Sequence, residues 1–168
     1  MIKQTSLALL AVIAIFLTAP ASAQNVAVVD IQSAILGSEY GQQELERLAS
    51  DPSFAELLAV ARSLQADIDS LDSQARAEAS GWDETRFAQY TRAREFKVAD
   101  LNLSSNKINS ERERVINNII SSMNNQAVEA LEQLIEEQNI SLLLQETSVY
   151  HAAETHNLTA ALAEKLSQ

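Results

Sequence analysis

Val26-Ala27-Val28-Val29 and Ile140-Ser141-Leu142-Leu143-Leu144 are short apolar runs lying far apart, and nearly everything between them reads as helix. Runs of this kind need partner strands to satisfy their backbone groups. If the two pair with each other, the helical middle has to travel out and come back. The expected fold class is therefore mainly α with a small β base (α+β). A long antiparallel helical-hairpin arm, residues 42–138, projects from a small β-stranded oligomerisation body built from residues 24–41 and 139–168.

Helix breakers are scarce, and each falls at an expected junction. The glycines are Gly37, Gly41 and Gly81, and beyond residue 23 Pro52 is the single proline. Residues 31–36 form a helical turn before Gly37-Ser38-Glu39-Tyr40-Gly41, and helix starts again near Gln42. Asp51 as N-cap with Pro52 in the first helical position restarts it after Ser50. Phe54, Leu57, Ala61, Leu64, Ile68, Leu71 and Ala75 then follow a 3-4 spacing, a heptad stripe on one helix face. The stripe fades before Gly81-Trp82-Asp83, where Gly81 suits a left-handed C-cap and Asp83 an N-cap. The chain is expected to reverse at residues 81–83 and return in a helix from Glu84 to about Gln138. Phe87, Tyr90, Leu101 and Ile108 keep the heptad frame there, with Arg94, Lys97 and Ser104 at its other positions. Ile116, Ile119, Ile120, Met123, Ala127, Leu131 and Leu134 restore a dense stripe near the base.

After the strand at residues 140–144, Gln145-Glu146-Thr147-Ser148 is a turn candidate, Val149-Tyr150-His151 a returning strand and residues 159–166 an amphipathic helix. The candidate base core and oligomerisation residues are Val26, Val28, Ile31, Ile140, Leu142, Leu144, Val149, Leu162 and Leu166. So few strands make a poor core for a lone chain, and small cores with exposed strand edges call for partners. A homo-oligomer assembled through the base is expected.

Residues 1–23 read as a cleaved signal peptide. Lys3 supplies the positive start, residues 7–17 an apolar run, and Pro20-Ala21-Ser22-Ala23 a small-x-small site with cleavage after Ala23. The run is shorter than the roughly 20 residues a spanning helix needs, and no later stretch is long and apolar enough to be an integral membrane segment. The mature part, residues 24–168, reads as one domain. The formal charge is −11, and removing Lys3 takes it to about −12. Such an acidic surface disfavours nucleic acid as a partner. No cysteine is present, so stability has to come from packing or association. Export without an anchor or a disulfide framework points to a bacterial periplasm.

No constellation supports catalysis, and the chain is not expected to be an enzyme. His151-Ala152-Ala153-Glu154-Thr155-His156 lacks the His-Glu-x-x-His spacing and reads as a polar turn rather than a metal site. Gly37-Ser38-Glu39-Tyr40-Gly41 has its serine in the wrong place for a nucleophile elbow. No glycine opens a phosphate loop, and no cofactor is implied. Trp82, the sole tryptophan, sits at the reversal, with Phe87 and Tyr90 within two turns. Two readings stand. In the plainer one Trp82 caps the hairpin by packing on Phe87. In the other, Trp82, Phe87 and Tyr90 form a contact patch for a client. Arg86, Arg92, Arg94 and Lys97 nearby read as a solvated face with helix-surface ion pairs.

Val26-Ala27-Val28-Val29-Asp30-Ile31, Ser38-Glu39-Tyr40-Gly41-Gln42-Gln43, Asn139-Ile140-Ser141-Leu142-Leu143-Leu144 and the closing residues 158–166 resemble, in order and spacing, the Skp/OmpH family of periplasmic chaperones. The resemblance implies a homotrimer whose strands form a central body and whose three helical arms enclose a cavity. It implies an ATP-independent holdase that binds unfolded outer-membrane β-barrel proteins and prevents their aggregation on the way to the outer membrane. The acidic charge motivates the alternative, an envelope structural or adaptor protein whose coiled-coil arm binds one folded partner.

Overall fold

The computed structural model describes residues 25–168; the expected signal peptide with its cleavage site after Ala23 lies outside them. The chain is mainly helical with one two-stranded sheet. β1 (Val26–Val29) and β2 (Leu142–Gln145) pair in parallel, Val26 opposite Leu142 and Val29 opposite Gln145. Parallel strands need a crossover, and here the crossover is almost the whole molecule: α1 (Ile31–Gly37), α2 (Glu39–Ser50), α3 (Pro52–Glu78) and α4 (Glu84–Glu137). α5 (Thr159–Lys165) closes the chain.

β2 begins two residues later than the strand expected at residue 140. The reason is the end of α4. Asn139 takes a left-handed conformation, φ 52°. The Asn139 amide bonds the Glu136 carbonyl at 3.2 Å, and the Ile140 amide reaches the Ile135 carbonyl at 3.0 Å. This is a Schellman cap with asparagine in the position glycine usually takes. Ile140 is thereby used by the cap and packs against the base core beside Ile135.

The returning strand expected at residues 149–151 does not form. A 3-10 turn, Glu146–Ser148, carries the chain off the end of β2. Tyr150 is fully exposed, and the chain rejoins the sheet only at Asn157, which bridges Val28 on the far side of β1. The Leu158 amide donates to the Val28 carbonyl at 2.9 Å. β1 thus has neighbours on both sides, while the outer edge of β2 has no strand beside it among the described residues.

The base core joins Ala27 and Val29 of β1 with Ala34 of α1, Ala130, Leu131 and Leu134 of α4, and Leu158 and Leu162 at α5. A second cluster, Ile35 with Ile119, Met123 and Ala127, continues it along α4. Of the expected base residues, Val28 and Leu162 are buried, and Val26, Ile31, Ile140, Val149 and Leu166 are half-buried. Leu142 and Leu144 are not part of the core within one chain: they are 49% and 36% exposed. Side chains alternate faces along a strand, and it is Leu143 that packs on the core.

Single capping residues separate the first three helices. Ser38 is fully buried; its hydroxyl donates to the Ile35 carbonyl at 2.7 Å and accepts from the Gly41 amide at 3.2 Å. α2 therefore starts at Glu39 rather than near Gln42, and the expected Gly37–Gly41 junction shrinks to one non-helical residue. Asp51 behaves as expected, accepting from the amides of Ser53 at 2.8 Å and Phe54 at 3.1 Å, with Pro52 following.

α3 and α4 run in opposite directions side by side. Phe54 and Ile68 are buried on the α3 seam, and Leu57, Ala61, Leu64, Leu71 and Ala75 are half-buried, as the heptad stripe requires. α4 has 54 residues, about 80 Å of helix at 1.5 Å per residue. Between them the Gly81 expectation fails: no glycine among the described residues has positive φ. A 3-10 turn, Ala79–Gly81, and an extended Trp82 make the reversal, and Asp83 caps α4 by accepting from the Arg86 amide at 2.7 Å. The tightening 3-10 bonds satisfy the carbonyls that a left-handed glycine would otherwise serve.

Candidate functional site at the helix reversal

The three aromatic residues expected at the reversal come together, in a different order from the expected one. Trp82 packs on Tyr90, ring centroids 5.4 Å apart and tilted by 54°. Phe87 lies 6.4 Å from Tyr90 and is 56% exposed. No ring pairing joins Trp82 to Phe87, so the expected cap is corrected: Tyr90 supplies the packing surface. The Arg86 guanidinium sits 5.1 Å over the Trp82 ring, a cation–π contact. The indole nitrogen of Trp82 is buried with no hydrogen-bond partner among the described residues. Ring contacts, not an N–H bond, hold it.

Below the rings, the seam is polar. The Tyr90 hydroxyl donates to Asp72 Oδ1 at 2.8 Å. Arg94 grips the same carboxylate through Nε at 2.7 Å and Nη2 at 3.2 Å, a two-pronged geometry. The Arg94 bond, with the Tyr90 bond second, holds the Asp72 carboxyl below its ordinary pKa. Asp72 in turn raises both the Tyr90 phenol and the Arg94 guanidinium. Lys97 Nζ pairs with Asp67 Oδ2 at 2.7 Å, and Arg86 pairs with Glu78. In every one of these pairs α3 supplies the acid and α4 the base.

The cations were expected to make surface pairs along their own helix. Arg86, Arg94 and Lys97 instead cross to α3. The signal was in the sequence: Tyr90, Arg94, Lys97, Leu101, Ser104 and Ile108 keep a 4-3-4-3-4 spacing, so Arg94 and Lys97 stand on the seam itself. What the spacing omits is that Asp67 and Asp72 flank the apolar positions Ile68 and Leu71 and reach them.

Several concavities lie nearer the base, and two of them adjoin the helix break and β2. One, about 310 Å³, opens where α2 breaks into α3 and is lined by Tyr40, Phe54, Leu57, Arg114 and Ile119 among others. Another, about 430 Å³, runs along β2 between Ile31, Leu131, Leu143 and Leu144, with Asp30, Gln32 and Gln145 also lining it. Among the described residues no group of His, Cys, Asp and Glu has the geometry to hold a metal ion, and no helix is long and apolar enough to cross a membrane. Comparison with protein-family models, curated proteins and solved structures finds no match to this chain.

Proposed function

We propose that this chain is an ATP-independent periplasmic holdase of the Skp/OmpH type, assembled as a homotrimer through its β base, with the α3–α4 hairpin as its arm. One observation carries the reading: a 54-residue helix returns along α3 to a base whose sheet leaves one edge open. Its edge strand, β2, leaves Leu142 and Leu144 exposed on the face away from the core, beside a groove that mixes Ile31, Leu131 and Leu143 with Asp30, Gln32 and Gln145. Open apolar edges are sites for strand or subunit pairing. Long arms on a shared body offer an unfolded chain many weak contacts, which is what binding without ATP demands. The clients are unfolded outer-membrane β-barrel proteins, and Trp82, Phe87 and Tyr90 are the aromatic contacts available at the arm's end. Signal-directed export to the periplasm belongs to the same proposal.

The test is light scattering as an unfolded outer-membrane β-barrel protein is diluted from denaturant. Stoichiometric trimer is expected to suppress the scattering; undiminished aggregation sinks the reading. The net charge of −11 favours a second reading, an envelope adaptor binding one folded partner. A pulldown dominated by a single folded envelope protein, with no β-barrel precursors, would decide for it.

A further inference from the structure

The α3–α4 seam changes character along its length. Near the base it is closed by Phe54, Leu57, Ile108 and Ile119, all buried or half-buried. Toward the reversal it is crossed by Glu78–Arg86, Asp72–Arg94 with Tyr90, and Asp67–Lys97. We propose that this distal seam is an ionic clasp, opening and closing as a unit while the proximal seam stays shut, with ionic strength setting the balance. The inference rests on the seam alone and is independent of the chaperone reading.

Three features support it. The charges are sorted, acids on α3 and bases on α4, so the pairs reinforce one register and all weaken under the same condition. Their side chains are 31–58% exposed, within reach of salt, which screens exposed pairs strongly. Of the apolar residues between them on α3, Leu71 and Ala75 are only half-buried and Ile68, beside Asp67, is buried, so the apolar burial that opposes opening is concentrated at the inner end of the clasp. An open clasp uncovers Leu71, Ala75 and the inner faces of Trp82 and Tyr90 together. It thus enlarges the apolar surface near the tip, where the closed form already exposes Phe87 and Phe96.

The chain has no cysteine, so pairs of spin labels can be introduced cleanly in the full chain. Gln74→Cys with Gln89→Cys spans the distal seam from exposed positions, and Ala55→Cys with Asn109→Cys spans the proximal one. Distances are read by pulsed electron paramagnetic resonance at about 0.01 M and about 1 M salt, where the Debye length falls from about 30 Å to about 3 Å. The distal distribution is expected to broaden about two-fold at high salt while the proximal one is unchanged. Asp72→Asn should broaden the distal distribution already at low salt, and the swap Asp72→Arg with Arg94→Asp should narrow it again. Distal and proximal distributions that both ignore salt, or that broaden together, overturn the clasp. The salt comparison on otherwise unaltered seams decides the matter even if the swap fails to fold.

Discussion

Ser38 ends one helix and starts the next with one hydroxyl, and Gly41 lets the two helices meet. A Cβ on Gly41 would sit 2.8 Å from the Leu36 carbonyl oxygen and closer still to that of Ile35. Gly41→Ala should therefore destabilise the chain by about 1–3 kcal/mol, the usual range for overpacking, read as a lowered denaturant midpoint. The sequence marked Gly41 as a junction but as a loop glycine; only the fold reveals that its lack of a side chain serves a helix contact. Trp82 shows the same limit. Its place at the reversal was legible from Gly81-Trp82-Asp83, whereas its partner was not, because which ring faces it depends on the turn geometry. The stack on Tyr90 and Arg86 makes Trp82→Ala cost stability, about 0.5–1.5 kcal/mol for the aromatic pair. Phe87→Ala, at an exposed ring, should leave melting unchanged and weaken client binding. Thermal melts beside the aggregation assay separate the two.

At the scale of elements, caps and stripes were the most legible part. Asp51-Pro52 and Asp83 announced helix starts, and the 3-4 spacing from Phe54 to Ala75 announced the α3 seam. These signals are local, and local signals survive folding. The sheet was harder. β1 was plain, but the start of β2 depended on a Schellman cap at Asn139, and the expected third strand gave way to a bridge from Asn157 to Val28. Leu142 and Leu144 follow from that register, and a one-residue shift exchanges the two faces.

The caps also predict a pH response. Asp30 and Asp51 both have depressed pKa values, Asp30 mainly through the Ser33 amide and Asp51 mainly through the Ser53 hydroxyl. Asp72 is depressed by Arg94. Each carboxyl loses its proton more readily in the folded chain than in the unfolded one. Their contribution is complete above the ordinary value of 3.8 and is lost as pH falls through the lower folded values. Urea midpoints are expected to fall with pH below that value. In Asp51→Asn, the part of the loss due to Asp51 should vanish. A midpoint that is flat through the acid range in the unaltered chain contradicts this.

At the scale of the whole molecule, the base joins one short sheet to parts of three helices, and its edge strand β2 leaves Leu142 and Leu144 exposed on the face away from the core. On the proposed reading that edge is where copies meet. Replacing both leucines, Leu142→Asp with Leu144→Asp, should leave a monomer by sedimentation velocity, because charge on an apolar interface is costly to bury. On the same reading the helix pair would give the assembly its reach, and the proposed clasp would give its tip freedom. The measurement that tests the account most directly is sedimentation of the intact chain at micromolar concentration with an unfolded outer-membrane β-barrel protein diluted from denaturant. One soluble complex that contains a trimer of this chain and the client is expected. A folded monomer alone in the supernatant, with the client in the pellet, would contradict it.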